Sequence, residues 1–142
     1  MRGAAVTLNE FEAVLATLPR RYPGLLIDRI EECVPGKSAR GQKCVTVNEP
    51  YFQGHFPGYP VMPGVLVLES LVQLSTFLAV SSGLPVPETI RSLDNVRFKR
   101  QVIPGDRLTI ETTMHADGRF DLRASVDGEL ATEATVVLGA LG

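Results

Sequence analysis

Apolar and polar residues alternate with a period of two along much of the C-terminal half of this chain. In residues 119–126 one face carries Phe120, Leu122, Ala124 and Val126, and the other carries Arg119, Asp121, Arg123 and Ser125. This alternation predicts a strand in a sheet with one solvent-exposed face. Similar runs predict strands at residues 93–102, 107–115 and 129–138, separated by turns at Pro104-Gly105, 116–118 and Asp127-Gly128.

The N-terminal half predicts a short helix and then a hairpin. Thr7 and Glu10 have the spacing of a capping box, which predicts a helix that ends before Pro19. Residues 25–34 and 39–47 predict two antiparallel strands joined by a turn at Pro35-Gly36.

A longer helix is predicted at residues 63–81. Its apolar residues lie around nearly the whole circumference: Val65, Leu66, Val67, Leu68, Leu71, Val72, Leu74, Phe77 and Leu78. A helix that is apolar on every side is expected to be buried on every side. We therefore expect an α+β fold, a single domain over residues 1–142, in which about six antiparallel strands form one curved sheet around one helix. A second sheet edge or subunit is expected to complete the enclosure.

Composition narrows the classes of function. The net charge of -2 and a pI near 5.7 provide no global basic field, so we expect no nucleic-acid partner. Cys33 and Cys44 have no disulfide or metal-ligand spacing, which favours two reduced thiols in a cytoplasmic protein. Glu69 and Gln73 interrupt the apolar run at 65–80, so we expect it to be too short and too polar to span a membrane.

Three residues could carry chemistry. His55 lies in a loop whose prolines and glycines impose a rigid path, although the loop could equally be a structural turn. Glu69 is the single acid of the predicted helix, and burial would raise its pKa and favour the protonated form. Gly64 starts that helix and offers a backbone N–H without an intrahelical acceptor, which suits the polarisation of a carbonyl oxygen. Together they suit removal of a proton next to a carbonyl and loss of a neighbouring hydroxyl.

Other polar residues have simpler interpretations. Gln73 and Thr76 extend a polar stripe from Glu69, so a buried hydrogen-bond network is the alternative to a catalytic role. His115, Asp28, Glu31 and Glu32 are expected to be solvated on strand faces. The sequence contains no GxSxG elbow, phosphate-binding glycine loop or metal-ligand spacing, so no metal or cofactor is expected.

Most of the chain resembles the 3-hydroxyacyl-acyl-carrier-protein dehydratases of the FabZ type. The resemblance rests on LPRRYP at 18–23, LIDR at 26–29, VNEP at 47–50, FQGHFPGYPVMPG at 52–64, ESLVQ at 69–73, RFKR at 97–100 and PGD at 104–106. It implies the hot-dog fold and dehydration of (3R)-hydroxyacyl thioesters to trans-2-enoyl thioesters, without isomerisation because position 69 is Glu. It also implies a homodimer with sites shared between subunits, and often a trimer of dimers.

The resemblance assigns roles to individual residues. His55 becomes the base, Glu69 the acid, Gly64 the donor to the thioester carbonyl, and the Val61 carbonyl the group that orients the imidazole. The substrate tunnel or its mouth would include Phe56, Tyr59, Gln73 and Arg20. The acyl group would arrive on the phosphopantetheine arm of an acyl carrier protein, for which a basic patch is the expected landing site: Arg97, Lys99 and Arg100.

Departures from the family pattern leave the pathway and the acyl length open. Arg20 stands where the family usually has His, Gly24 where a bulky Phe is common, and Gln101 where Pro is common. They favour, as one alternative, a paralogue for specialised acyl chains. Two further alternatives are a hot-dog thioesterase and a non-catalytic domain that binds acyl carriers.

Overall fold

A computed structural model of the protein describes residues 4–6, 26–46 and 61–139. The helix predicted to follow Thr7 lies outside these residues. The described elements are β1 (Ala4–Val6), β2 (Arg29–Val34), β3 (Ser38–Cys44), α1 (Gly64–Ser81), β4 (Thr89–Phe98), β5 (Arg107–Met114), β6 (Arg119–Val126) and β7 (Glu129–Gly139).

The strands form one antiparallel sheet in the order β1-β2-β3-β5-β6-β7-β4. The six predicted strands are all present, and the three-residue β1 adds a seventh that was not predicted. Among the described strands, β4 pairs with β7 alone and lies at one edge. The turns at Pro104-Gly105 and Asp127-Gly128 both use a glycine with positive φ, 97° at Gly105 and 83° at Gly128. Asp127-Gly128 joins the paired strands β6 and β7, whereas Pro104-Gly105 lies between β4 and β5, which are not neighbours in the sheet.

The boundaries of three strands were predicted wrongly, among them β3, which ends at Cys44 rather than at residue 47. β4 covers residues 89–98 rather than 93–102 because Thr89 pairs with Gly139 at the far end of β7. An irregularity near Asn95, whose φ is 55°, also breaks its alternation. The first hairpin strand begins at Arg29 instead of residue 25.

Helix α1 packs against the inner face of β3, β5, β6 and β7. Between Val67 and Ala79 every residue except Glu69 is buried. Among the core side chains, Leu71, Leu74 and Leu78 of the helix and Leu108, Ile110 and Leu122 of the sheet are almost inaccessible to solvent. The sheet and helix thus share one core.

The first turn of α1 departs from the expectation of burial on every side. Val65 is 68% exposed, so this turn is open to solvent on one side. The membrane criterion also needs correction, since α1 is long and apolar enough to span a bilayer by length and composition. Its packing within the sheet accounts for that apolarity.

The polar face of the sheet is largely as predicted. His115 is half-exposed, and its Nε2 lies 2.7 Å from Oδ2 of Asp121. Asp28 is exposed and accepts a 2.6 Å hydrogen bond from the Cys44 N–H, whereas Glu31 accepts one of 3.0 Å from Gln42 Nε2. These contacts anchor the ends of the first hairpin.

Candidate active site at the start of the central helix

The described residues contain part of the predicted site. Val61, Gly64, Glu69 and Gln73 are placed, together with the three residues of the predicted basic patch. His55, Phe56, Tyr59 and Arg20 lie outside the described residues.

The N-terminus of α1 is tied to the sheet immediately before Gly64. The Met62 N–H donates to the Val102 carbonyl at 2.7 Å, and Val61 and Met62 are both buried. Leu66 and Val67 donate to the Pro63 carbonyl at 2.9 and 3.3 Å, which are the first bonds of the helix. The N–H groups of Gly64 and Val65 therefore have no acceptor within the helix and lie at its positive end.

The ring of Phe98 lies directly against Gly64. A Cβ built on Gly64 would be 2.6 Å from Cε1 of Phe98 and 3.0 Å from both Cδ1 and Cζ. Carbon atoms do not approach to 2.6 Å without displacement, so this position accepts glycine alone while the ring stays in place. The start of the helix and the end of β4 thus meet at Gly64 and Phe98.

An apolar groove opens beside this contact. Its volume is about 490 Å³. Its lining comes from the start of α1 and the two buried residues shortly before it, from β4 and the segment after it, and from β7: Val61, Met62, Gly64, Val65, Val67, Leu68, Leu93, Val96, Phe98, Arg100, Gln101, Val102 and Thr132. An apolar groove beside backbone N–H groups that have no acceptor within the helix can hold an acyl chain, with its carbonyl oxygen at the start of the helix.

Glu69 is half-buried and follows Val65 by one helical turn. Residues four apart lie on the same helix face, so the carboxyl group belongs to the face on which Val65 and the partly buried Leu66 are found. That face is the least covered part of α1 in the described structure. The acid is placed where a second surface could approach it.

Gln73 takes part in a buried structural contact. Its Oε1 accepts a 3.0 Å hydrogen bond from the Leu26 backbone N–H, and both residues are buried. Thr76 is buried as well. This contact supports the hydrogen-bond network predicted for Gln73, and its place in the tunnel lining stays a prediction.

The predicted basic patch divides into differently placed cations. Arg100 lies 3.5 Å from Asp106 Oδ2 and 3.2 Å from Glu129 Oε1, so its charge is partly balanced within the chain. Arg97 is exposed and stands opposite Glu133 in the register of β4 and β7. Lys99 is exposed, while its backbone N–H donates to the Ala131 carbonyl at 2.7 Å.

Sequence patterns did not identify Phe98 as part of this site. In the sequence it is one apolar residue of an alternating strand, and no spacing marks it. Its place beside Gly64 depends on the strand order, which brings the end of β4 to the start of α1. Within residues 4–6, 26–46 and 61–139, no cluster of His, Cys, Asp or Glu could hold a metal ion.

Comparison with known proteins shows the family of the chain. The chain matches the FabA-like domain family over residues 18–137. It is 45% identical to a 3-hydroxyacyl-[acyl-carrier-protein] dehydratase FabZ of Cereibacter sphaeroides over 133 residues, which are 88% of this chain and 86% of that protein. It is also 45% identical to the FabZ of Chromobacterium violaceum, over 96% of each chain.

Solved structures share the fold at low sequence identity. The dehydratase heterocomplex ApeI:P from Xenorhabdus doucetiae has a TM-score of 0.66 at 20% identity, over 81% of this chain and 97% of that one. A hypothetical thioesterase with coenzyme A from Streptococcus pneumoniae has a TM-score of 0.68 at 14% identity, over 96% and 98% of the two chains. These likenesses confirm the predicted α+β hot-dog fold. From the family match and the full-length relatives together, the chain belongs to the FabA-like domain family, and its resemblance to the FabZ-type dehydratases is confirmed.

Proposed function

We propose that this protein is a lyase that removes water from (3R)-hydroxyacyl thioesters on an acyl carrier protein and yields trans-2-enoyl thioesters. The observation that carries the proposal is its 45% identity, over 96% of its length, to a curated dehydratase of this type. The placement of Gly64 beside an apolar groove, with Glu69 on the same helix, supports it. The reaction involves no net oxidation or reduction and so needs no redox cofactor, and in this proposal the acid and base groups of the chain act without a metal.

In the proposed reaction, each group moves one proton or stabilises one charge. The His55 imidazole takes the C2 proton while the Gly64 N–H stabilises negative charge on the thioester oxygen. The C2–H electrons form the C2–C3 double bond as the C3–O bond breaks. Glu69 donates its proton to the leaving hydroxyl, which departs as water, and proton exchange with solvent then restores both residues. The Val61 carbonyl would orient the imidazole.

A second copy of the chain completes the site in this proposal. Strand β4 has an unpaired edge in the described structure, and its inner face leaves Leu93 38% and Phe98 57% exposed. Together with Val65 they form an exposed apolar patch on the side of α1 that carries Glu69. Antiparallel pairing of β4 with its copy across a twofold axis would cover this patch. His55 of one subunit would then meet Glu69 of the other.

The substrate would reach this site from a carrier protein in the cytoplasm. Its acyl chain would lie in the groove beside Gly64, with Phe56, Tyr59 and Arg20 at the tunnel or its mouth. Lys99 and Arg97 would provide exposed positive charge for an acidic carrier. The cytoplasmic location is supported by the free state of Cys33 and Cys44.

The first experiment identifies the reaction. Carrier-bound 3-hydroxyacyl chains of several lengths are incubated with the purified protein, and the carrier is weighed by mass spectrometry. Loss of one water from the acyl group is expected, and both His55→Ala and Glu69→Gln should abolish it while leaving the circular dichroism spectrum unchanged. Release of a free thiol would instead identify a thioesterase, and an unaltered acyl group would indicate a non-catalytic carrier-binding domain.

The second experiment tests whether sites are shared. His55→Ala and Glu69→Gln subunits are unfolded, mixed in equal amounts and refolded together. Each mixed dimer would contain one site with both native groups, so random pairing should restore about a quarter of native activity. Each variant refolded alone is the control. Absence of recovery in verified mixed dimers would place both groups of a site in the same subunit. Separately, size-exclusion measurements on the native protein test whether it forms a trimer of dimers.

A further inference from the structure

We infer that Phe98 is a positioning residue for this reaction, because its ring holds the Gly64 N–H where the thioester oxygen is to be bound. The inference rests on the proposed function and adds a residue to the site. It concerns the placement of a backbone donor, to which Phe98 itself contributes no polar atom.

The contact between ring and glycine is close and involves one side of the ring. Cδ1, Cε1 and Cζ are three consecutive ring atoms, and all lie within 3.0 Å of the position of a Gly64 Cβ. The ring therefore occupies the space in which any other residue would carry its side chain. Gly64 has this ring as its neighbour in place of a Cβ.

Both partners of the contact are fixed by backbone hydrogen bonds. Phe98 stands opposite the buried Thr132 of β7, and the next residue, Lys99, donates to the Ala131 carbonyl at 2.7 Å. On the other side, the Met62 N–H binds the Val102 carbonyl at 2.7 Å, two residues before Gly64. The ring thus fills a space between two anchored segments and prevents the first turn of α1 from moving toward β4.

Phe98 is 57% exposed in the described chain. Burial in the core of its own subunit therefore gives this side chain limited stabilisation. A donor to a developing oxyanion must be placed accurately, since misplacement by about 1 Å can cost on the order of a hundredfold in rate. The Phe98 ring lies against Gly64, whose N–H is proposed to bind the thioester oxygen, so it restrains the donor that must be placed accurately.

A double-mutant cycle tests the inference. In Gly64→Ala the N–H is retained, but the new methyl group meets the ring, so kcat should fall on the order of a hundredfold. Phe98→Leu should lower kcat about tenfold with KM changed by less than about twofold, because a transition-state contact is weakened. The double variant Gly64→Ala/Phe98→Leu should recover to the level of Phe98→Leu alone, since the clash is gone.

Two further variants separate positioning from general damage. Phe98→Tyr keeps an aromatic ring beside Gly64, so its kcat should stay closer to the native value than that of Phe98→Leu. Ile103→Ala removes an apolar side chain of similar exposure, 41%, outside the groove, and should leave kcat unchanged. All assays are run at concentrations where sizing shows the same assembly as the native protein.

A nuclear magnetic resonance measurement tests the contact without any assay of activity. A ring beside Gly64 should displace its Hα resonances, and Phe98→Leu should return them toward ordinary glycine values, even if Gly64→Ala fails to fold. A double variant as impaired as Gly64→Ala, or unchanged Gly64 resonances in Phe98→Leu, would overturn the inference. If the native protein removes no water, the proposed function fails, and the resonance measurement still decides whether the ring holds Gly64.

Discussion

Strands β6 and β4 flank the same strand, β7, yet their side chains are buried to very different extents. β6 alternates strictly, with Phe120, Leu122, Ala124 and Val126 all buried. None of the ten residues of β4 is buried. Both strands are antiparallel to β7, so hydrogen bonding alone does not account for the difference. Helix α1 covers β6, and β4 extends beyond it.

The outer faces of the same strands are alike. A row of register partners crosses five strands with alternating charge: Arg40, Glu111, Arg123, Glu133 and Arg97. The row reaches the edge strand without interruption. The charged side chains on the outer face of β4 therefore have partners within the same chain, and its inner apolar face is the one that the proposed second subunit would cover.

The largest expected effect distinguishes the inner face of β6, which is buried, from the inner face of β4, which is partly exposed. Leu122→Ala on β6 removes a fully buried side chain and should lower the free energy of unfolding by about 2–5 kcal/mol. Leu93→Ala on β4 makes the same chemical change at a partly exposed position, so its effect should depend on protein concentration, because it weakens association. Urea unfolding at several concentrations measures both. Equal, concentration-independent losses would contradict the comparison.

This contrast also explains what the sequence could predict. The predicted limits of β6, residues 119 and 126, are those of the structure, because its own chain buries the inner face and the alternation is unbroken. β4 was displaced by four residues, because its inner residues are not buried by the same chain and the irregularity near Asn95 shifts the pattern. The helix was placed to within one residue, but the exposure of Val65 depends on a covering surface that the sequence pattern does not specify.

The candidate site divides in a similar way. Gly64 and Glu69 were identified because a glycine at a helix start and an acid in an apolar helix are unusual in themselves. Phe98 is an ordinary residue whose importance comes from the strand order, which no local pattern specifies. Gln73 was noticed because it is a polar residue in an apolar helix. Its partner could not be predicted, since the hydrogen bond to Leu26 joins residues 47 positions apart. Local sequence patterns therefore identify residues of unusual type, whereas contacts between distant parts of the chain determine what those residues bind.

A smaller effect should reveal the charge row on the outer face. Arg123 has acidic neighbours on both sides, Glu111 and Glu133, whereas Arg97 at the edge has Glu133 alone. Charge reversal should cost roughly 0.2–1 kcal/mol for each like-charge pair created, so Arg123→Glu should destabilise about twice as much as Arg97→Glu. Both losses should shrink in high salt.

Neutral variants serve as controls for the charge row. Arg123→Gln and Arg97→Gln remove the attraction without creating repulsion, and each should lie between the native protein and its charge-reversed counterpart in thermal unfolding. An Arg97→Glu variant that is destabilised more than Arg123→Glu would indicate that the edge position meets further acidic groups, contrary to the row described here.

The smallest effect concerns the other edge of the sheet, where β1 pairs with β2. Cys33 of β2 is buried and stands opposite Ala4 of β1, whereas Cys44 is exposed at the end of β3. Burial raises the pKa of the Cys33 thiol, with a hydrogen bond to Ser81 partly opposing the shift. Thiolate is the reactive form, so a thiol reagent should modify Cys44→Ser protein, which retains Cys33, much more slowly than Cys33→Ser protein. The Cys33 rate should also rise only at higher pH.

The raised pKa of Cys33 also makes the free energy of unfolding depend on pH. Because the folded state holds the Cys33 proton more tightly than the unfolded state, its contribution is complete below the unfolded thiol pKa and is lost as the pH rises through the folded pKa. The unfolding midpoint of Cys44→Ser should therefore decline with alkaline pH slightly more than that of a Cys33→Ala/Cys44→Ser variant. Equal labelling rates for the two thiols would mean that the side chains at this edge are as accessible to solvent as those of β4. That result would contradict the difference in burial between the two edges of the sheet.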